Sequence, residues 1–179
     1  MRGTLRRFLG TAQSGVAALE FALVAPVLIV LYVGTAEVSL ALMANRKLSL
    51  STAAMAELTS HSGTINAATA ANILQASRAM LEPFDASSLT QRVTALVVDA
   101  DGVARVAWSV GAGVEALVGG SAVDVPVYLR RPGDGLVMAE ARLDYVSPIA
   151  FTMPGLRQLV DIHFVYPRFD DRVQWETAS

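Results

Sequence analysis

The sequence predicts an α+β fold: one long N-terminal helix followed by a small antiparallel β-sheet domain. Three observations predict it. From Phe21 to Ala36 the chain carries no formal charge, and from Val16 to Ala44 the only charges are Glu20 and Glu37. From Gln91 onward the apolar period changes from helical spacing to two. Turn signals then separate the later apolar runs, at Asp99-Ala100-Asp101-Gly102, Gly119-Gly120 and Arg130-Arg131-Pro132-Gly133-Asp134-Gly135. This divides the 179 residues into a basic leader (1–15), a membrane-spanning helix and amphipathic stem (16–62), and an extracytoplasmic α+β domain (63–179).

The leader carries Arg2, Arg6 and Arg7 and no acid, so the charge rule holds the N-terminus in the cytoplasm and sends the rest of the chain across the membrane. At about 1.5 Å per residue, Val16 to Ala44 outruns a hydrocarbon core of roughly 30 Å. A carboxylate well inside that core costs on the order of 2–3 kcal/mol without a partner, which makes Glu20 a candidate functional residue. The competing reading has Glu20 reach the headgroups from the first turn. Pro26 lacks an amide donor and predicts a kink or loosening near Ala22. Beyond Ala44, Leu48, Ala53, Ala54, Met55 and Leu58 suggest a buried stripe, with Arg46, Lys47 and Glu57 solvated and Gly63 as a C-terminal cap.

A second helix is expected from Ile65 to Leu81, capped by Thr64 or Asn66 and closed by Glu82-Pro83. Residues 91–110 read as a β-hairpin across the Asp99–Gly102 turn, with Val93, Ala95 and Val97 on one face and Ala104, Val106, Trp108 and Val110 on one face of its partner. Asp99 and Asp101 lack the further acids of a calcium loop, and an Asp-Gly turn accounts for them. A short strand is expected around Val123 to Leu129. A clear one comes next over Leu136 to Val146, with Val137, Ala139, Ala141, Leu143 and Tyr145 opposite Glu140, Arg142 and Asp144. A last strand is expected over Val160 to Tyr166, with Val160, Ile162, Phe164 and Tyr166 inward, His163 outward, and a loose polar tail beyond.

Gly15-Val16-Ala17-Ala18-Leu19-Glu20-Phe21 resembles the prepilin-peptidase site of type IV pilin-like proteins, in which cleavage follows a glycine and the fifth mature residue is glutamate. Counted from Val16, Glu20 is fifth and Phe21 sixth. Glu20-Phe21 with Ala-Leu-Val-Ala-Pro-Val at 22–27 is similar to the TadE-like minor pilins, or pseudopilins, of the Tad (tight adherence, Flp) pilus. Tyr166-Pro167-Arg168 is similar to the Tyr-x-Pro-Arg-type ending of such chains, without the intervening residue. The resemblance implies a pilin-like fold, a bond cleaved between Gly15 and Val16, recognition and assembly roles for Glu20 and Phe21, and a helix kink at Pro26. It implies as partners a prepilin peptidase, other Tad minor pilins and the major pilin, an inner-membrane assembly platform and membrane lipid. The sheet domain would then lie in the periplasm, with the mature protein in the inner membrane or incorporated in a pilus.

Other classes find little support in the residues. Removing the leader takes the formal charge from −2 to −5, so a basic nucleic-acid footprint is missing. Cysteine is absent, which excludes disulfides, thiol chemistry and a lipoprotein anchor. His61 and His163 stand far apart, and no Ser/His/Asp set, metal spacing or phosphate loop appears in a suitable setting. The chain is expected to be no enzyme, without cofactor or metal. Two alternatives remain open at this level: an uncleaved single-pass anchor bearing a periplasmic interaction module, and a soluble domain exported by cleavage after Ala36.

Overall fold

The leader, the apolar run and the stem hold good helix formers and one internal proline, and they fold as a single helix. The computed structural model describes residues 3–152 and 154–176. Arg2, the side chains of Arg6 and Arg7, and residues 177–179 of the tail lie outside the described residues. The elements are α1 (Gly3–Ser60), β1 (Thr64–Ile65), α2 (Ala67–Ala79), β2 (Thr90–Val98), β3 (Ala104–Ala112), β4 (Ala122–Val123), β5 (Gly135–Val146), β6 (Leu156–Val165) and β7 (Gln174–Trp175). Contacts group them into two compact units, one running to Ala41 and including Val146–Gly155, the other holding Leu42–Tyr145 and Leu156–Ser179.

In the larger unit a five-stranded sheet runs β4-β3-β2-β5-β6, and β1 pairs in parallel with β7. The stem of α1 and helix α2 cover one face of the sheet. Met55 and Ala56 of the stem and Ala70, Ile73 and Leu74 of α2 pack there with Val93, Ala95, Val137 and Ala139. The expected stem stripe is corrected. Leu48 and Met55 are core residues, but Ala53 and Ala54 are half-buried and Leu58 is 48% exposed. Ser51, Thr52 and Thr59 are buried in their place. Thr52 and Thr59 donate to the Leu48 and Met55 carbonyls one turn back, at 2.9 and 2.8 Å, so their hydroxyls enter the core satisfied.

Gly63 is not a left-handed cap. Its carbonyl accepts from the Gln174 amide at 3.0 Å, and the chain leaves α1 directly into the β1–β7 pairing. That pairing also takes Thr64 and Ile65 out of α2, which starts at Ala67 behind Asn66. The Asn66 side-chain oxygen accepts from Thr69 N at 2.9 Å. The tail is correspondingly ordered through Trp175. Trp108 donates its indole N–H to the Val173 carbonyl at 2.7 Å and packs on Trp175 with ring centres 5.3 Å apart.

The hairpin forms as expected, with Gly102 at φ +77° in its turn. Its facial pattern does not. The β2–β3 register shifts between Ala95 and Leu96, pairing Ala95 with Trp108 and Leu96 with Val106. Ala107 is the extra residue of a bulge, and the bulge turns Trp108 to the opposite face from Ala104 and Val106. Leu96, Val98, Ala104, Val106, Leu136 and Met138 therefore build a second core on the other side, closed by Val125, Leu117 and Leu129. Both faces are covered, so β2 does not alternate simply. β5 keeps its predicted alternation from Val137 to Tyr145. The expected strand near Val123 reduces to β4 and a 3₁₀ turn at Val127–Leu129. β6 departs from its predicted face in part: Phe164 packs on the second core as expected, but Val160 and Ile162 are about half exposed, whereas Leu159 and Val165 pack on the helix-covered side and His163 is half-buried. Because both faces of the sheet are covered, residues of either parity on β6 find a core to pack against.

Candidate functional site on the apolar helix

The smaller unit is built on an apolar sequence with nothing packed over most of it. Val16, Leu19, Phe21, Leu23, Val24, Val27, Leu28, Ile29, Val30, Leu31 and Tyr32 are all exposed, Tyr32 by 78%. The described helix from Gly15 contains a window of mean hydropathy 2.5 with none of it buried, long and apolar enough to cross a membrane. Such a surface is compatible with a single-pass anchor, because lipid as solvent removes the penalty that water would impose. The helix runs through Pro26 without interruption. Hydroxyls within it are satisfied internally: Thr35 donates to Leu31 O at 2.7 Å and Ser39 to Thr35 O at 2.8 Å.

The residues singled out in the sequence lie together on this bare stretch. A Cβ added to Gly15 would meet nothing within 4 Å, so packing inside the chain does not require glycine there. Val16 and Glu20 are four residues apart and share a helix face. Glu20 is exposed, and among the described residues no side chain or backbone group bonds its carboxylate. Phe21 is 71% exposed beside it.

Glu37 is the residue whose role was not legible. In the sequence it is only the second charge of the apolar run, yet it is completely buried. The segment between β5 and β6 folds over it. One carboxylate oxygen accepts from Phe151 N at 2.7 Å and from the Ser147 hydroxyl at 3.2 Å; the other accepts from Thr152 N at 2.7 Å and from the Thr152 hydroxyl. Ser147 Oγ in turn receives the amides of Ile149 at 3.4 Å and Ala150 at 3.3 Å. Ala150 sits at φ +49°, a conformation that costs a non-glycine residue roughly 1–2 kcal/mol and persists because its neighbours are held. Thr152 lies over Gly34, one turn before Glu37, at 3.6 Å from where a Cβ would stand. No local signal announces this clasp, since its partners are 110 to 115 residues away.

Arg168, flagged by the Tyr166-Pro167-Arg168 ending, belongs to the larger unit. Its guanidinium reaches both Glu57 oxygens at 3.2 Å and its amide donates to Ser60 O at 2.9 Å, tying the chain after β6 to the end of the stem. The pair is exposed and contributes no more than about 1 kcal/mol.

Comparison with known proteins adds one finding. Residues 15–56 match the model of a family described as TadE-like protein. Neither the curated proteins nor the solved structures compared gave a match to the chain. The family match begins at Gly15, covers the bare helix and most of the stem, and stops before the sheet domain. By this match the N-terminal helix and most of the stem are similar to those of TadE-like proteins.

Proposed function

We propose that the chain is a minor pilin, or pseudopilin, of a Tad-type pilus, made as a precursor and cut between Gly15 and Val16 by a prepilin peptidase at the cytoplasmic face. The observation that carries this reading is the family match starting at Gly15, on a helix whose large apolar side chains are bare. Hydrolysis adds water across the Gly15–Val16 amide, leaving a carboxylate on the leader and an ammonium on Val16. The remaining helix holds the protein in the inner membrane, with the sheet domain in the periplasm. From there it acts in pilus assembly, initiation or adhesion, with the other minor pilins, the major pilin and the inner-membrane platform.

Glu20 supplies the assembly chemistry. Its carboxylate has no partner within the described chain and stands one turn from the ammonium that cleavage creates. Packed against another helix in a filament, Glu20 of one subunit meets the Val16 ammonium of its neighbour, and each charge offsets the burial of the other. The exposed surface from Phe21 onward exchanges lipid contacts for helix contacts.

The test is the mature N-terminus, read by mass spectrometry from cells with and without the peptidase. A chain starting at Val16 only when the peptidase is present supports the reading. A start at Met1 in both strains, or at Glu37, rejects it. Glu20→Ala is expected to leave membrane insertion intact while impairing assembly, and normal piliation by that variant would remove the role given to Glu20.

A further inference from the structure

The segment Val146–Gly155 has the wrong composition for a loop in water. Its ten residues, Val-Ser-Pro-Ile-Ala-Phe-Thr-Met-Pro-Gly, include no ionisable side chain. Val146 is 55% exposed, Ile149 44% and Phe151 62%. Connecting segments that face water are ordinarily polar, and their backbone amides are met by solvent. Here the four consecutive amides of residues 149–152 are all met by the protein: two by Ser147 Oγ and two by the Glu37 carboxylate. The apolar side chains are left outward and the backbone donors are turned inward. Irregular backbone needs that arrangement wherever water is scarce.

The place of the clasp along α1 completes the argument. Val16 to Ala36 spans about 30 Å of helix rise, one hydrocarbon thickness, and Glu37 is the next residue. The loop is bound where the span ends. Its own exposed apolar residues and the bare helix surface belong to the same compact unit. Glu37 is fully buried there, its charge met by two amides and two hydroxyls.

Resting on the membrane reading above, we propose that the 146–155 loop is a second membrane contact. It is an interfacial foot that lies in the headgroup layer of the outer face, sets Ile149 and Phe151 into lipid, and is held on the helix by Glu37. The occupant of this surface is the lipid bilayer itself. Glu37 is a positioning residue in this arrangement: it binds no lipid, and it fixes the depth at which the loop meets it.

The chain contains no cysteine, so single-cysteine spin labels can be placed without background. Full-length protein in vesicles of phosphatidylcholine and phosphatidylglycerol is labelled separately through Leu28→Cys on the span, Ile149→Cys and Phe151→Cys on the loop, and Val118→Cys in the sheet domain. Accessibility to oxygen is compared with accessibility to a water-soluble nickel chelate. Labels at 149 and 151 are expected to favour oxygen several-fold over the label at 118, while remaining shallower than the label at 28. Loop labels as open to the chelate as position 118, with position 28 still in lipid, overturn the foot and leave the membrane span standing. A water signature at position 28 rejects the membrane reading itself, and the foot with it. Adding Glu37→Ala is expected to move positions 149 and 151 toward the chelate without moving position 28. Loop labels unmoved by Glu37→Ala, in protein whose position 28 stays in lipid, remove the clasp from the proposal.

Discussion

Helix α1 passes through two surroundings on one backbone. Before Ala36, Leu23, Leu28, Leu31 and Tyr32 stand 56–78% exposed, and little of the chain covers them. After Ala44, Leu48 and Met55 are fully buried, and small or hydroxylated residues fill the positions between them. A helix facing lipid needs only bulk and apolarity, so every side tolerates Leu, Ile or Val. A helix facing a sheet must fit it, so the contact stripe carries Ala44, Ser51, Thr52, Ala56 and Thr59, and leucines such as Leu50 and Leu58 turn outward. Hydrophobicity alone thus marks the first half, and shape governs the second.

The contrast makes identical substitutions unequal. Leu48→Ala removes a fully buried side chain that packs with Leu81, Leu89, Ala141 and Leu143, and is expected to lower stability by about 2–5 kcal/mol. Leu28→Ala is expected to leave the same unfolding transition unmoved. Denaturant unfolding in micelles, followed by the fluorescence of Trp108 and Trp175, reads both. Equal losses would mean that the apolar half is packed after all.

Glycines divide in the same way. A Cβ at Gly135 would stand 2.2 Å from the Asp171 carbonyl oxygen, a backbone atom that cannot swing aside. Gly135→Ala is therefore expected to cost about 1–3 kcal/mol in the same assay. Gly15 meets nothing within 4 Å, so Gly15→Ala is expected to leave folding unchanged. If the proposed processing is right, the same substitution stops cleavage, seen as a precursor band that persists with the peptidase present. A Gly15→Ala chain that is cut normally would show that the glycine matters to neither.

How much of the molecule is legible in the sequence depends on where each signal resides. The apolar helix, the Asn66 cap, the Asp99–Gly102 turn and the alternation of β5 are local, and each is encoded within a few residues of where it acts. The bulge at Ala107 is not. Nothing near Trp108 says that it must turn toward Val173 and Trp175, because that demand comes from the far end of the chain. β6 has apolar residues at both parities, Leu159 and Val165 against Val160 and Ile162, and only the sheet and helix surfaces it meets decide which set goes in. At the candidate site, Gly15 to Phe21 form a contiguous motif, which can be read as a resemblance without knowing the fold. Glu37 was not legible, since a carboxylate met by backbone amides leaves no side-chain signature at the residues that donate.

The same carboxylate-to-amide chemistry occurs in the β2–β3 turn of the larger unit, where it has a measurable pH signature. Asp99 accepts from the amides of Val103 at 2.9 Å and Asp101 at 3.0 Å, and from Arg105 Nε at 2.8 Å. The Val103 amide is the largest influence; with the Arg105 and Asp101 contacts it outweighs desolvation and holds the carboxyl below its ordinary 3.8. A folded value depressed below the unfolded one contributes stability that is present above pH 3.8 and is lost as pH falls through the folded value. Carboxyl NMR is expected to place the Asp99 midpoint below that of the same residue in a peptide spanning the turn. Asp99→Asn keeps an acceptor for the amides but loses the charge, so its effect at neutral pH is expected to be small, with a flatter loss of stability in acid. An Asp99 midpoint at or above the peptide value would show that the turn does not hold the carboxylate, and the hairpin would then owe its register to the bulge and the two cores alone.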